Sequence, residues 1–140
     1  MTPRIFLDTN ILLDFIDGRR GFFGSAAKII TLANLSQITI VVSPISFLNI
    51  HYILTKAGTE GHLLTKLRQV RKICEVCHTN GKTIDQALYS SFADFEDAVQ
   101  YYGALDSQCE IIITRDGKDF LESLLPVMTP DEYLASINRS

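Results

Sequence analysis

The chain has 140 residues, a formal net charge of −3, 46% apolar residues and 21% charged residues. This length suits a single domain, residues 1–140, with a core of its own, and the balance is that of an ordinary globular protein. No apolar run approaches the ~20 residues of a membrane span, the first residues lack the layout of a signal peptide, and the charge argues against a protein that coats nucleic acid by electrostatics alone; the expectation is a cytoplasmic protein with no membrane partner.

The first element lies in RIFLDTNILLDF, residues 4–15. Ile5 to Leu7 form a short apolar run, predicted as a strand, and a helical pattern runs from Asn10 through Phe15. Asp8 stands between them, at the strand's carboxyl end, where open α/β sheets bind ligands; it is either a site residue or the cap of the next helix. The second predicted strand is Ile38 to Val42. Ser43-Pro44 then supplies an N-cap with proline at the first helical position, opening a helix to about Lys56. A further helix is expected from about Glu60 to Arg71.

That helix carries KLRQVRK, in which Arg68 lies three and four residues before Arg71 and Lys72, on one face. A solvated surface is the ordinary account of such a face, and a phosphate-binding rim the functional one. The third predicted strand, Cys74 to His78, contains CEVCH, which matches the C-x-x-C-H pattern of haem attachment. Ile73 and Val76 interleave with the cysteines, so buried thiols are expected and no haem. An odd count of three cysteines is no disulfide framework, and zinc would need a second half-site.

Thr83-Ile84-Asp85-Gln86 matches a capping box and predicts a helix start. Ile111 to Thr114 and Val127 to Met128 are the last predicted strands, and Thr129-Pro130-Asp131-Glu132 opens a terminal helix containing Tyr133, Leu134 and Ile137. The second and fourth strands are β-branched without alternation, as in parallel sheets covered on both faces. Strands alternating with helices in this way predict an α/β, three-layer fold built from right-handed crossovers.

Carboxylates fall at three exposed places on that scaffold. Asp8 follows the first strand. Asp94 and Asp97 open a helix in DFEDAVQYYGA, on one face near its positive end, with Ala98, Tyr101, Tyr102 and Leu105 as its buried stripe. Asp116 follows the fourth strand in IIITRDGKDF, with Asp119 three residues on. Capping accounts for Asp8 and Asp94, the helix dipole for Asp97 and a turn for Asp116-Gly117. These separate accounts leave unexplained why acids follow two apolar strands and also open a helix. Carboxylates brought together repel unless a cation neutralises them, and a hard ion such as Mg²⁺ or Mn²⁺ suits oxygen ligands. Such an ion supports phosphodiester hydrolysis by water. Thr114 and Asn10 stand where they could hydrogen-bond a ligand carboxylate or a water, or simply make turn bonds.

Taken in order over nearly the whole chain, FLDTNILLDF, DFEDAVQYYGA, IIITRDGKDF and PVMTPDEYL resemble the PIN domain, and especially the bacterial branch that includes toxin ribonucleases of type II toxin–antitoxin pairs. The resemblance implies a PIN-like fold with a central parallel sheet of about five strands. It also implies a pocket for Mg²⁺ or Mn²⁺, endonucleolytic cleavage of RNA, a homodimer and an inhibitory antitoxin partner. By position, Asp8, Asp97 and Asp116 match the family's catalytic, metal-holding acids. Asp94 and Asp119 match accessory acids of a subgroup. Arg115, Lys118, Arg68 and Arg71 are candidates for phosphate contact.

One position departs from the pattern. The family's second acid should fall within SPISFLNIHYILTK, yet no Asp or Glu occurs from Leu32 to Ala57. Asn49 is the best match. An amide can offer a neutral oxygen to a cation or a water, but no charge and no general base. The alternative expectation is therefore a weakened PIN domain that binds RNA or a protein without cutting.

Overall fold

The computed structural model describes residues 2–58 and 61–138. Its strands are β1 (Arg4–Leu7), β2 (Thr39–Val42), β3 (Cys74–Val76), β4 (Ile111–Ile113) and β5 (Val127–Met128). They form one five-stranded sheet in the order β3-β2-β1-β4-β5, and every pairing is parallel. All five lie within a residue or two of the expected spans. The helices are α1 (Thr9–Asp17), α2 (Phe23–Asn34), α3 (Pro44–Lys56), α4 (Leu63–Ile73), α5 (Gly81–Leu88), α6 (Phe95–Asp106) and α7 (Pro130–Ile137). The expected start of α4 near Glu60 lies outside the described residues.

Parallel strands buried on both faces need apolar side chains pointing each way, and β1 supplies them. Ile5 and Leu7 face one cluster, with Ile40, Val42 and Ile113 beside them and α1, α2, α4 and α7 beneath. Phe6 faces the other, with Val41 and Ile112 beside it and Tyr101 and Ala104 of α6 above. The result is the three-layer α/β arrangement that the alternating elements predict.

Several ends follow local chemistry. Ser43 caps α3 by accepting from the Ile45 amide, with Pro44 behind it. Thr129 and Glu132 close the expected capping box at α7. The box at α5 corrects the sequence reading: Asn80, not Thr83, is the cap, and Thr83 sits at the third helical position with its hydroxyl turned back to Asn80. Two capping patterns overlap here, and the earlier one wins because its Asn accepts directly from the Thr83 amide. Helix α2 carries no side-chain cap, which explains why no start signal marked it. Helix α1 ends at Gly18, which takes the left-handed conformation (φ 65°) that glycine reaches without steric cost.

All three thiols are free and buried. Burial pushes Cys77 up to about 11, and Cys74 and Cys109 up to about 12, so they are packing groups with little thiolate character. Cys77 presses on α6 so closely that a Cβ at Gly103 would lie 2.7 Å from its sulfur. Among the described residues, no helix is long and apolar enough to cross a membrane.

Candidate acidic site

The strand order reverses at β1: β2 and β3 lie to one side, β4 and β5 to the other. Ligands of open parallel sheets bind at such a switch point, beyond the strands' carboxyl ends. Here the ladder runs to its last rung, with the Asp8 amide donating to the Ile113 carbonyl at 3.0 Å. Asp8 and Thr114, the residues that follow β1 and β4, therefore emerge side by side. The Thr114 hydroxyl donates to Asp8 Oδ2 at 2.7 Å and accepts from the Asp116 amide at 3.1 Å. Asp8 Oδ1 accepts from the Thr9 amide at 2.7 Å, so Asp8 caps α1 while facing the sheet edge. The capping and site readings of this residue are not exclusive.

Helix α6 brings the next acids to the same edge. Asp94 caps it by accepting from the Asp97 amide at 3.0 Å, and Glu96 and Asp97 lie in its first turn. Asp97 is raised to about 7, by burial first and then by the charges of Asp94, Asp8, Asp119 and Glu96. Burial also raises Asp8, against hydrogen bonds from Thr114, Thr9 and Gln100 that lower it. Five carboxylates thus feel one another, and the charges that raise Asp97 are all negative.

The acids after β4 are placed unequally. The 3-10 turn Gly117–Phe120 carries Asp119 to where its charge acts on both Asp8 and Asp97. Asp116 stands half-exposed, 3.9 Å from the exposed Lys118 ammonium, and does not figure among the charges acting on Asp8 or Asp97. Arg115 turns away from the rim. It grips the buried Asp14 through Nε at 2.7 Å and a second nitrogen at 3.1 Å, and its guanidinium lies 4.1 Å over the Phe22 ring. Arg68 and Arg71 lie apart from the acids, on an apolar cleft of about 730 Å³ with Phe47, Leu48, Leu64 and Leu67.

Asn49, on α3, donates to Glu96 Oε1 at 2.6 Å. One turn earlier on α3, Ser46 is buried and its hydroxyl bonds that of Thr9 at 2.8 Å, tying α3 to the residue after Asp8. Sequence reasoning missed two members of this site. Gln100, 1% exposed, lies near enough to Asp8 to favour its charged form, while its Oε1 has no partner. Its signal was a glutamine one turn after Asp97, inside a helix stripe otherwise apolar. Glu96 was hidden between Asp94 and Asp97.

Among the described residues, no three His, Cys, Asp or Glu side chains stand together as ready ligands of one ion. The donor set nevertheless fits a hard cation. Asp8, Asp94, Glu96, Asp97 and Asp119 present only acceptor oxygens when ionised, and Gln100 and Asn10 each bury an acceptor oxygen without a donor. Magnesium keeps several waters and takes only one or two direct carboxylates, so a loose rim of acids is compatible with it.

A family model described as PIN domain matches residues 4–118. Among solved structures, a toxin–antitoxin complex from Klebsiella pneumoniae is similar at TM-score 0.65 and 23% identity, covering 90% of this chain and 97% of that one. VapBC2 from Rickettsia felis, bound to a promoter DNA fragment, matches at TM-score 0.65 and 16% identity over 89% of this chain and 96% of that one. VapC20 of Mycobacterium tuberculosis, described as a sarcin-ricin loop cleaving toxin, matches at 0.67 and 14% over 84% and 94%. At these identities the likeness is one of fold. No curated protein matches the sequence.

Proposed function

Because this chain belongs to the PIN domain family, we propose that it is a Mg²⁺- or Mn²⁺-dependent endoribonuclease and the toxin of a toxin–antitoxin pair. The observation that supports this reading is that Asp8, Asp94 and Asp119 all lie within electrostatic reach of Asp97 and raise it together. The structural neighbours include toxin–antitoxin complexes, which supports an antitoxin partner; a homodimer and a cytoplasmic location belong to the same reading.

Asp8 and Asp97 would hold the ion directly, with Asp116 or Asp119 completing the set from the turn after β4. Once bound, the ion would supply an activated water and neutralise charge on the phosphate. The remaining work falls to the chain. Thr114 and the Thr9 amide fix both oxygens of Asp8, so its acceptor face is oriented before any ligand arrives. Gln100, close to Asp8, favours its charged form. Lys118, largely exposed beside Asp116, is free to meet a phosphate. Arg115 is held by Asp14 and supports the fold instead.

The experiment is a Mn²⁺ titration read by thermal shift, on the native chain and on Asp97→Asn, followed by incubation of both with labelled RNA. Stabilisation and cleavage that vanish together in the variant support the reading through linkage. The amide at Asn49 and the lack of a closed ligand set favour a second reading, an RNA- or protein-binding domain that does not cut. No thermal shift at millimolar Mn²⁺ in either protein would select it.

A further inference from the structure

The acids of the rim are distributed one-sidedly. Helix α6 contributes Asp94, Glu96 and Asp97, whereas α3, which borders the same rim, lies in a stretch from Leu32 to Ala57 without a single carboxylate. A cation seated at the switch point would meet only neutral groups on that side, Ser46 and Asn49 among them. One carboxylate is nevertheless held there. Asn49 Nδ2 donates to Glu96 Oε1 at 2.6 Å, across 47 residues of chain, and Glu96 lies within electrostatic reach of Asp8 and Asp94.

We propose that Glu96 is a cation-ligating carboxylate of this site, delivered from α6 to the α3 side, and that Asn49 is the positioning residue that holds it there. This rests on the nuclease reading above.

Two ordinary roles for Glu96 fall short. An acid in the first turn of a helix favours the dipole, but Asp94 at the cap and Asp97 in that turn already supply it, and a third acid adds repulsion. A surface tie between α3 and α6 would be better made by a cation at position 49, because an amide supplies a hydrogen bond and no charge compensation. What an amide does supply is direction: it fixes one carboxylate oxygen and leaves the other with its charge free for a ligand. An independent sign of a ligand is Gln100, almost wholly buried, close to Asp8, and carrying an acceptor oxygen without a partner among the described residues. A buried acceptor without a donor is costly, and a hydrated cation beside Asp8 would satisfy it.

The test is the dissociation constant of Mn²⁺, measured by the spin-resonance signal of the free ion, on the full chain and three variants. Glu96→Gln keeps the shape and the bond from Asn49 but removes the charge; Mn²⁺ binding should weaken by about tenfold or more. Asn49→Ala leaves the charge but frees it, and should weaken binding by a smaller factor. The double variant N49E/E96Q moves the carboxylate to the other end of the same contact and should recover most of the native affinity, a non-additive rescue that a purely structural role would not give. Native-like affinity in Glu96→Gln, or a double variant as weak as the sum of its parts, would overturn the assignment while leaving the nuclease reading standing. A native chain that takes up no Mn²⁺ at all would overturn both.

Discussion

Asp8 and Asp14 lie six residues apart at the two ends of one helical turn pair, and both are buried, at 6% and 1% exposure. Their surroundings differ in kind. Asp14 meets a two-pronged guanidinium from Arg115, itself stacked over Phe22, so its charge is answered within the protein. Asp8 meets a hydroxyl and an amide donor, and the charge that acts on it is another carboxylate, Asp119. Burial raises both acids, but only Asp14 has a cation to oppose it. A buried acid with its own counter-ion holds a fold together; one without invites a counter-ion from solution. On the proposed reading, that difference separates a structural acid from a ligand-binding one at a single helix.

Breaking the completed pair should have the largest effect. Arg115→Ala leaves the buried Asp14 uncompensated, and chemical denaturation should report a loss of about 3 kcal/mol, with the Mn²⁺-induced thermal shift preserved because the pair is not part of the rim. A lost Mn²⁺ response would place Arg115 in the site after all. Next in size is Thr114→Val, which takes a hydroxyl donor from Asp8 and an acceptor from the Asp116 amide. A loss of about 2 kcal/mol is expected, this time accompanied by weaker Mn²⁺ binding. An unchanged affinity would separate the orientation of Asp8 from ion capture.

A smaller effect concerns pH. Folded Asp97 binds its proton at about 7 against an ordinary value of 3.8, so between those values the folded state holds more protons than the unfolded one. Stability without metal therefore rises as pH falls from above 7 toward 4, and the raised Asp8, Glu96 and Asp119 act in the same direction. In chelator, the melting temperature should be higher at pH 5.5 than at 7.5, by about 4 °C. Asp97→Asn should flatten the profile and stabilise the protein at the higher pH. A profile that falls on acidification would mean the acids are not crowded in solution.

The finest distinction lies between two neighbours. Asp119→Asn should weaken Mn²⁺ binding more than Asp116→Asn, since only Asp119 acts on Asp8 and Asp97. The reverse order would assign the position to Asp116.

This last pair marks how far the sequence carried the site. Asp8, Asp94 and Asp97 were legible because each stands at an element boundary that local signals define: an apolar strand that stops, a helix that opens. Asp116 and Asp119 both follow the same strand, and only the path of the 3-10 turn separates them. Gln100 and Glu96 gave weaker signals, a polar residue in an apolar stripe and an acid among acids, whose meaning depends on what packs opposite. The cysteines were legible as core, whereas the close contact of Cys77 with Gly103 depends on how α6 crosses the sheet.

By itself the sequence determined the elements and their type. Runs such as Ile5 to Leu7 and Ile111 to Ile113 read as strands covered on both sides, and Ser43-Pro44 and Thr129-Pro130 mark helix starts, because burial period and capping act within a few residues. Tertiary structure decided the partners: Thr114 on Asp8 across 106 positions, Arg115 on Asp14 across 101 and Asn49 on Glu96 across 47. Those contacts arise from the strand order that places β4 beside β1 and α3 near α6, and side-chain chemistry alone cannot rank them, since an arginine, a threonine or an amide will bond whichever carboxylate the crossovers bring within reach.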